Sequence, residues 1–356
     1  MPKKSICIKV SKRFGEKALA LVNKLGMINK ELEIQRNEDF IYIPIVDRPS
    51  ERELKALRKQ VADSETSTYS FPEKTKKETS FVDLLAEKLP PDMLASLPHA
   101  ADFIGDIAII EVPPELQAHG KIIGEAILKI NKNMRTVLAK AGPVSGTYRL
   151  REFTVIAGEP KTETIHKEYG CQYYVDIAKA YFSPRLSNEH NRVTSLVKEG
   201  ETIIDMFAGV GPFAIQIAKK HEDVKVYAID VNPHAVAYLK RNVRLNRVEE
   251  SVFPVLGDAK QIVKERFSGI ADRVIMNLPE KATEFVDAAC DTLKQIGGIA
   301  HFYGFVSASN TLEDLKLLLK KTVEESGRKV KSIPYSRLVR ATAPYEWQAV
   351  LDAEIH

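Results

Sequence analysis

The chain contains few cysteines and lacks a long apolar run. Its 356 residues include three cysteines, Cys7, Cys171 and Cys290, which lie far apart and form no CxxC pair. This usage argues against a disulfide framework or a structural zinc site and favours a reducing compartment. No apolar stretch approaches the roughly 18 residues that a membrane span needs, and no hydrophobic segment follows the basic N-terminus. The sequence therefore predicts a soluble, cytoplasmic protein without a required metal.

Composition divides the chain into regions. A hydrophobic content of 44% is ample for two or three cores. For residues 1–63 the pattern predicts a small N-terminal α/β module. Residues 64–80 are polar and rich in Ser and Thr, which predicts a flexible linker. Residues 81–165 predict an α+β region. In residues 166–356 strands and helices alternate, which predicts a doubly wound, Rossmann-like parallel sheet with helices on both faces.

Basic residues are segregated along the chain. Residues 1–24 hold seven Lys or Arg against one Glu, residues 129–151 hold six against none, and residues 320–340 hold seven against two. A single cluster of this kind is usually a solvated face. Three clusters separated by acidic regions favour a partner whose phosphate backbone is contacted at several points.

Residues 202–232 contain most of a nucleotide-cofactor site. An apolar run ends at Asp205, a loop with Gly209 and Gly211 follows, and a helical segment leads to a second apolar run that ends at Asp230. Glycines allow close backbone approach, and the positive end of the helix near Pro212 points towards the loop. Asp230 lies 19 residues beyond Gly211, a spacing at which a carboxylate reaches ribose hydroxyls. A nucleoside-bearing ligand is the first inference.

Two further strand ends distinguish between cofactors. The glycine loop also satisfies the dinucleotide pattern, so NAD is a possible ligand on the loop alone. Gly257-Asp258 and Asn277-Leu278-Pro279 each follow another apolar run. Either polar residue alone could be a loop cap, but four such ends in order resemble doubly wound methyltransferases that use S-adenosylmethionine and release S-adenosylhomocysteine.

The resemblance becomes specific when upstream segments are included. YRLREFTVIAGE, TIHKEYGCQYYVDIAKAYFSPRLSNEH, DMFAGVGPF, AIDVNPHAV and VIMNLP occur in that order. Together they resemble the archaeal and eukaryotic tRNA guanine-37 N1-methyltransferases over almost the whole chain. This resemblance implies that the substrate is tRNA with guanosine at position 37, that the N-terminal module recognises tRNA, that residues 81–165 bind RNA, and that the enzyme acts as a monomer.

The resemblance also implies roles for individual residues. Glu189 matches the proton acceptor for guanine N1, Arg149 the contact to O6, and Asn277 an amide that fixes the target base. Substrate binding is assigned to Arg149, Tyr181, Arg185 and Pro279. Cofactor binding is assigned to the residues of the strand ends, which are Phe207, Ala208, Gly209, Gly211, Asp230, Val231, Asp258, Asn277, Leu278 and Pro279.

The sequence leaves alternatives open for several of these residues and for the function. Glu189 could be an acid favoured by a helix N-terminus, and Arg149 could be a surface charge on a strand. Glu280, which follows Pro279, could be a second base or a rim residue. A related branch of the family methylates a carbon of the wyosine precursor at the same nucleotide, and a non-catalytic RNA-binding protein with a vestigial cofactor fold is the alternative outside enzymes.

Overall fold

A computed structural model of the chain describes residues 2–61, 63–73, 81–86, 88–98 and 100–356. The chain divides into two compact units, Met1–Ser80 and Phe81–His356. Among the described residues, no helix has the length and apolar character needed to cross a membrane.

The N-terminal unit is an antiparallel sheet with two helices. Its elements are β1 (Lys3–Ser11), α1 (Gly15–Lys24), β2 (Gln35–Arg36), β3 (Phe40–Pro44), α2 (Glu51–Gln60) and β4 (Glu65–Phe71). The strands lie in the order β2-β3-β1-β4. Helix α2 begins with a capping box, because the Ser50 hydroxyl accepts from the Glu53 amide and the Glu53 carboxylate accepts from the Ser50 amide. Ile8, Val22 and Leu57 form part of a core between sheet and helices.

Strand β4 corrects the predicted linker at residues 64–80. All seven residues of β4, Glu65–Phe71, pair with β1. The segment has a polar composition because β4 is an edge strand in which Phe71 alone is buried. Phe71 is fully buried, and the Tyr69 ring stacks on Tyr42 with centroids 4.1 Å apart. The remainder of the predicted linker, residues 74–80, lies outside the described residues.

The second unit begins with an α+β region. Its elements are α3 (Phe81–Leu85), α4 (Pro91–Ala95), β5 (Ala101–Ile104), β6 (Ile107–Ile110), α5 (Gly120–Ile130), β7 (Thr136–Lys140) and β8 (Phe153–Gly158). The four strands form one sheet in sequence order, with β6 and β7 parallel. Helix α5 packs closely on β8 at Gly124, where an added Cβ would lie 2.7 Å from the Cβ of Ala157.

A hairpin and a helix precede the large sheet. They are β9 (Glu163–Glu168), β10 (Cys171–Asp176) and α6 (Ser187–Leu196). The predicted boundary between residues 165 and 166 falls inside β9 and is therefore wrong by a few residues. The strand pairs with β10 throughout, so the hairpin is one unit that the boundary would divide.

The rest of the chain forms a seven-stranded sheet flanked by helices. Its elements are β11 (Thr202–Asp205), α7 (Pro212–Lys220), β12 (Lys225–Asp230), α8 (Pro233–Asn246), β13 (Val252–Leu256), α9 (Ala259–Ile262), β14 (Arg273–Met276), α10 (Val286–Thr292), β15 (Gly298–Ser307), α11 (Leu312–Glu325), β16 (Val330–Ala343) and β17 (Glu346–Ile355). The strand order is β13-β12-β11-β14-β15-β17-β16.

The doubly wound prediction is confirmed, with one correction. Strands β11 to β15 are parallel, but β17 pairs antiparallel with both β15 and β16. Successive side chains of β11 pack into different hydrophobic cores. Ile204 belongs to the cluster under α10 and α11, and Ile203 belongs to the cluster under α7 and α8. Strand order reverses between β11 and β14, which is where open α/β sheets bind ligands.

Candidate active site

A cavity of about 420 Å³ lies at the carboxyl ends of the parallel strands. Its lining includes residues from the ends of β11, β12, β13 and β14, together with the loop before β8, the segment before α6, and strands β16 and β17. The predicted strand ends therefore meet in one space at the reversal point of the sheet.

The loop after β11 is held by hydrogen bonds of its own. The Gly209 amide donates to Asp230 Oδ2 at 2.7 Å, and the Asn232 amide donates to Oδ1 at 2.8 Å. Asp230 thereby ties the β11 and β12 ends together while still lining the cavity. Burial raises its pKa, although these backbone amides work against that shift.

Gly211 is required for packing and does not line the cavity. Its φ is +94°, and an added Cβ would lie 2.3 Å from Leu239 Cδ1 on α8. The assignment of Gly211 to cofactor binding stays a prediction. Gly209 does line the cavity, where an added Cβ would meet the Tyr181 carbonyl oxygen at 3.6 Å.

Asp205 at the end of β11 is fully buried. Neither of its carboxylate oxygens has a hydrogen-bond partner among the described residues. Burial raises the pKa of Asp205 to about 7, an effect that the nearby Phe207 backbone amide opposes and the charge of Asp230 assists. The carboxyl group under the glycine loop is therefore largely protonated below neutral pH.

The ends of β13 and β14 supply polar groups to the cavity. Asp258 lines the cavity and also caps α9, since its Oδ1 accepts from the Gln261 amide at 3.2 Å. Asp258 is therefore a cap, as the alternative interpretation of the sequence proposed. This does not exclude a contact with a ligand, because the residue also lines the cavity. Asn277 Oδ1 accepts from Gln348 Nε2 at 2.9 Å, which fixes the amide orientation at the end of β14.

Arg149 lies in a tight turn rather than on a strand. Backbone hydrogen bonds between Ser145 and Leu150 close the turn, and Arg149 adopts a φ of +55°. Non-glycine residues seldom adopt this conformation, and it is concentrated at functional sites. The guanidinium lies 5.3 Å from the ring centroid of Tyr181, and Nη2 lies 3.3 Å from Glu280 Oε1.

The Nη1 group of Arg149 is buried and has no acceptor among the described residues. A buried donor without an acceptor is costly unless a ligand completes it. Arg149, Tyr181 and Glu280 all line the cavity. This side of the cavity therefore offers a donor, an aromatic ring and an acceptor next to Asn277.

Family comparison identifies the fold around this cavity. Residues 164–331 match the TRM5/TYW2 methyltransferase domain, residues 81–162 the TYW2 N-terminal domain, and residues 7–53 the tRNA methyltransferase 5 N-terminal domain. A Pyrococcus abyssi tRNA (guanine(37)-N(1))-methyltransferase, Trm5b, is 36% identical, with 99% of both chains covered. The chain belongs to the TRM5/TYW2 methyltransferase family. The family expected from the sequence is thereby confirmed.

Other relatives and solved structures agree. The Methanocaldococcus jannaschii Trm5b is 34% identical over 99% of both chains. The crystal structure of the P. abyssi Trm5b matches with a TM-score of 0.78 over 99% of both chains at 35% identity. A structure described as a complex of aTrm5 and tRNALeu matches with a TM-score of 0.75 at 33% identity, covering 99% of this chain and 100% of that one.

Most predicted site residues meet in the cavity. Besides Arg149 and Tyr181, all of the assigned cofactor residues except Gly211 line it. Arg185 does not. Its Nε donates to Asp102 Oδ1 at 2.6 Å, and it lines a neighbouring cavity of about 370 Å³.

Glu189 is buried on the first turn of α6 but is not among the residues that line the cavity. Its Oε1 accepts from Arg192 Nη2 at 2.6 Å and from the Tyr303 hydroxyl at 2.7 Å. Arg192 is held in turn by Asp352, with Nη1 and Oδ2 2.5 Å apart. Burial alone would raise the pKa of Asp352, but His301 and Arg192 hold it at about 2. The assignment of Glu189 as proton acceptor stays a prediction.

Arg340 on β16 is a cavity residue that sequence reasoning missed. It donates to the Tyr181 hydroxyl and to Ser183 Oγ, each at 2.7 Å, and to Gln348 Oε1 at 2.9 Å. Because Gln348 holds Asn277, Arg340 connects the aromatic and amide sides of the cavity. The only sequence signal was the basic cluster at residues 320–340, which indicates charge but not this position.

Proposed function

We propose that this protein transfers a methyl group from S-adenosylmethionine to N1 of guanosine 37 in tRNA. One observation carries the proposal: the ends of four parallel strands share a single cavity with Arg149, whose buried Nη1 has no acceptor among the described residues. Such a cavity can hold a nucleoside cofactor and a purine base side by side.

The residues at the strand ends fit the cofactor. The Asp230 carboxylate would take the ribose hydroxyls, and Asp258 would lie near the adenine, since both line the cavity from neighbouring strands. Gly209 lines the cavity with a φ of +56°, a backbone conformation that residues with a Cβ rarely adopt. When bound, the cofactor supplies an electrophilic methyl group on a sulfonium.

The opposite side of the cavity fits a flipped guanine. Arg149 Nη1 is a donor for O6, where negative charge develops once N1 loses its proton. The Tyr181 ring, fixed by the Arg340 hydrogen bond to its hydroxyl, would stack on the base. Asn277, oriented by Gln348, would fix the base edge, with Pro279 beside it. These contacts hold the acceptor nitrogen in place, which is the main requirement of an in-line displacement.

Glu189 is the proposed proton acceptor. It precedes His190, which lines the cavity, and its carboxylate accepts a hydrogen bond from the Arg192 guanidinium. Glu280 is the rival, because it lines the cavity and lies next to Arg149. Substitution of each residue separately distinguishes the two.

The parts outside the catalytic sheet are proposed to bind tRNA. The N-terminal unit carries seven Lys or Arg against one Glu in residues 1–24, and the α+β region contains the whole second basic cluster, residues 129–151. Contacts of these regions with phosphates would add affinity without reading sequence. We further propose that the enzyme acts as a cytoplasmic monomer.

A second candidate function is carbon methylation of the wyosine precursor at the same nucleotide. It is favoured by a Saccharolobus solfataricus relative named tRNA 4-demethylwyosine(37)-methyltransferase Taw21, which is 36% identical over 70% of this chain and 92% of its own. The family assignment leaves the alternative of a non-catalytic RNA-binding protein without support.

Competition between the two substrates tests the proposal. The protein is incubated with labelled S-adenosylmethionine and equal amounts of two tRNAs, one with guanosine 37 and one with 4-demethylwyosine 37. The proposal predicts label in the first tRNA, and an otherwise identical transcript with adenosine 37 should receive none. Label confined to the wyosine-precursor tRNA would overturn it in favour of the second candidate.

A further inference from the structure

The two carboxylate oxygens of Glu189 are held unequally. Oε1 accepts from the Tyr303 hydroxyl at 2.7 Å, from Arg192 Nη2 at 2.6 Å and from Arg192 Nε at 3.1 Å. Among the described residues, Oε2 accepts from Arg192 Nε alone, at 3.0 Å. A carboxylate oxygen offers about two acceptor sites. Oε1 is therefore fully used, and Oε2 is the oxygen with room for another proton donor.

Arg192 is fixed by contacts with three elements. Its Nη1 and Nη2 donate to the two carboxylate oxygens of Asp352 on β17, at 2.5 and 3.1 Å. The guanidinium lies over the ring of Tyr335 on β16, 4.3 Å from the centroid, and its other contacts are with Glu189 on α6. A planar guanidinium held in this way fixes the orientation of both carboxylates that it joins.

Strand β15 supports the cluster with two side chains on one face. His301 Nδ1 lies 2.6 Å from Asp352 Oδ1, and Nε2 lies 2.9 Å from Arg273 Nη1. A guanidinium can only donate, so Nε2 is the acceptor and Nδ1 donates to Asp352. Burial lowers the pKa of His301, which favours this neutral form. Burial, with the charge of Glu189, raises the pKa of Tyr303 well above its usual value, so the hydroxyl keeps its proton and donates.

We infer that Arg192, held by Asp352, and Tyr303 are positioning residues that leave Oε2 of Glu189 as the atom that takes the N1 proton. The inference rests on the proposed function, in which Glu189 is the proton acceptor. The proton moves from N1 to Oε2, and the electron pair of the broken N–H bond stays on the base. Neither Arg192 nor Tyr303 lines the cavity, so each acts through the orientation of Glu189.

Conservative substitutions in the full chain test the inference. Arg192→Lys keeps the positive charge but loses the planar fork, and Tyr303→Phe keeps the buried ring but loses the donor. Each should lower the single-turnover rate on tRNA with guanosine 37 by about 10- to 100-fold, the cost typical of partners that orient a reactive group. Affinities for S-adenosylmethionine and tRNA should change by less than about threefold, because an interaction used only in the transition state leaves binding intact. If Arg192→Lys does not fold, Tyr303→Phe carries the test alone.

A double-mutant cycle separates positioning from general support of the fold. Groups that act as one unit give non-additive losses. In a Glu189→Gln background, Arg192→Lys and Tyr303→Phe should each lower the rate by less than about a further twofold, because the carboxylate that they orient is already gone.

Contacts of Glu163 provide the matched controls. Arg241 lies over the Tyr174 ring, 3.2 Å from the centroid, and pairs with Glu163 at 3.2 Å. The Tyr238 hydroxyl donates to the same carboxylate at 2.9 Å. Neither Arg241 nor Tyr238 lines the cavity. Arg241→Lys and Tyr238→Phe should therefore keep the parent rate within about threefold.

The results that would overturn the inference differ from one another. Parent-like rates in both Arg192→Lys and Tyr303→Phe would show that Glu189 needs no such support. Equal losses in the parent and Glu189→Gln backgrounds would show that the two residues act through some other group or through the fold. A parent-like rate in Glu189→Gln alone would remove the proton acceptor itself, and a parent protein that does not methylate guanosine 37 would refute the proposed function.

Discussion

Asp205→Asn should stabilise the catalytic unit at high pH and have little effect at low pH. The Asp205 carboxylate is fully buried, lacks a hydrogen-bond partner among the described residues and has a pKa raised from 3.8 to about 7. Asparagine has the same shape as the protonated acid and carries no charge at any pH. The substitution therefore removes only the cost of ionising a buried group.

The sign follows from linkage. Between pH 3.8 and about 7 the unfolded chain releases the Asp205 proton while the folded protein keeps it, so stability falls as the pH rises. A shift of this size corresponds to about 4 kcal/mol at pH 8, since one pKa unit is worth about 1.4 kcal/mol. At pH 5 the same relation gives about 2 kcal/mol, and the difference vanishes only at pH values well below 3.8.

Trp347 provides the assay. It is the single tryptophan of the chain and lies on β17, in the same sheet as Asp205. Urea unfolding followed by its fluorescence at pH 5 and pH 8 measures the free energy of unfolding of parent and variant. Asp291→Asn, an exposed site on α10, is the control and should show no pH-dependent gain. An Asp205→Asn variant that is no more stable than the parent at pH 8 would refute the reasoning.

Three further predictions concern the proposed function. Asp230→Ala should weaken S-adenosylmethionine binding by about 10- to 100-fold in calorimetry; unchanged affinity, or a parent protein that prefers NAD, would contradict the ribose contact. Glu189→Gln should lower the single-turnover methylation rate by about 10²- to 10⁴-fold with little change in tRNA affinity. Glu280→Gln, the matched change at the cavity, should stay within a few-fold of the parent, and the reverse result would make Glu280 the proton acceptor. A chain beginning at Phe81 should keep cofactor affinity but bind tRNA more weakly, with a salt dependence shallower by about one unit for each phosphate that the N-terminal unit neutralises; an unchanged salt slope would show that the N-terminal unit does not bind RNA.

The cofactor side of the site was predictable because its signals are local. Asp230, Asp258 and Asn277 each follow an apolar run, and parallel strands bring their carboxyl ends to one edge of the sheet. The role of Gly211 was not predictable from the loop pattern alone. A pattern shows that the position needs a positive φ, but only the packing of Leu239 shows what fills the space.

Contacts between distant segments could not be predicted. Arg340 meets Tyr181 and Ser183 across more than 150 residues of sequence, and no local pattern indicates such a pairing. The same is true of Glu189 and its partner Tyr303, 114 residues apart. Strand β4 was missed for a different reason. An edge strand with a solvent-exposed face is rich in polar residues, as a linker is.

The most direct test of the central claim is to identify the nucleoside that is methylated. An unmodified tRNA transcript with guanosine 37 is incubated with S-adenosylmethionine and the protein, digested, and analysed by chromatography and mass spectrometry. The account predicts 1-methylguanosine from position 37 and its loss in Arg149→Ala, because the Arg149 donor next to Tyr181 stabilises the developing charge on O6. A methyl group on another atom or nucleoside, or full activity in Arg149→Ala, would contradict it.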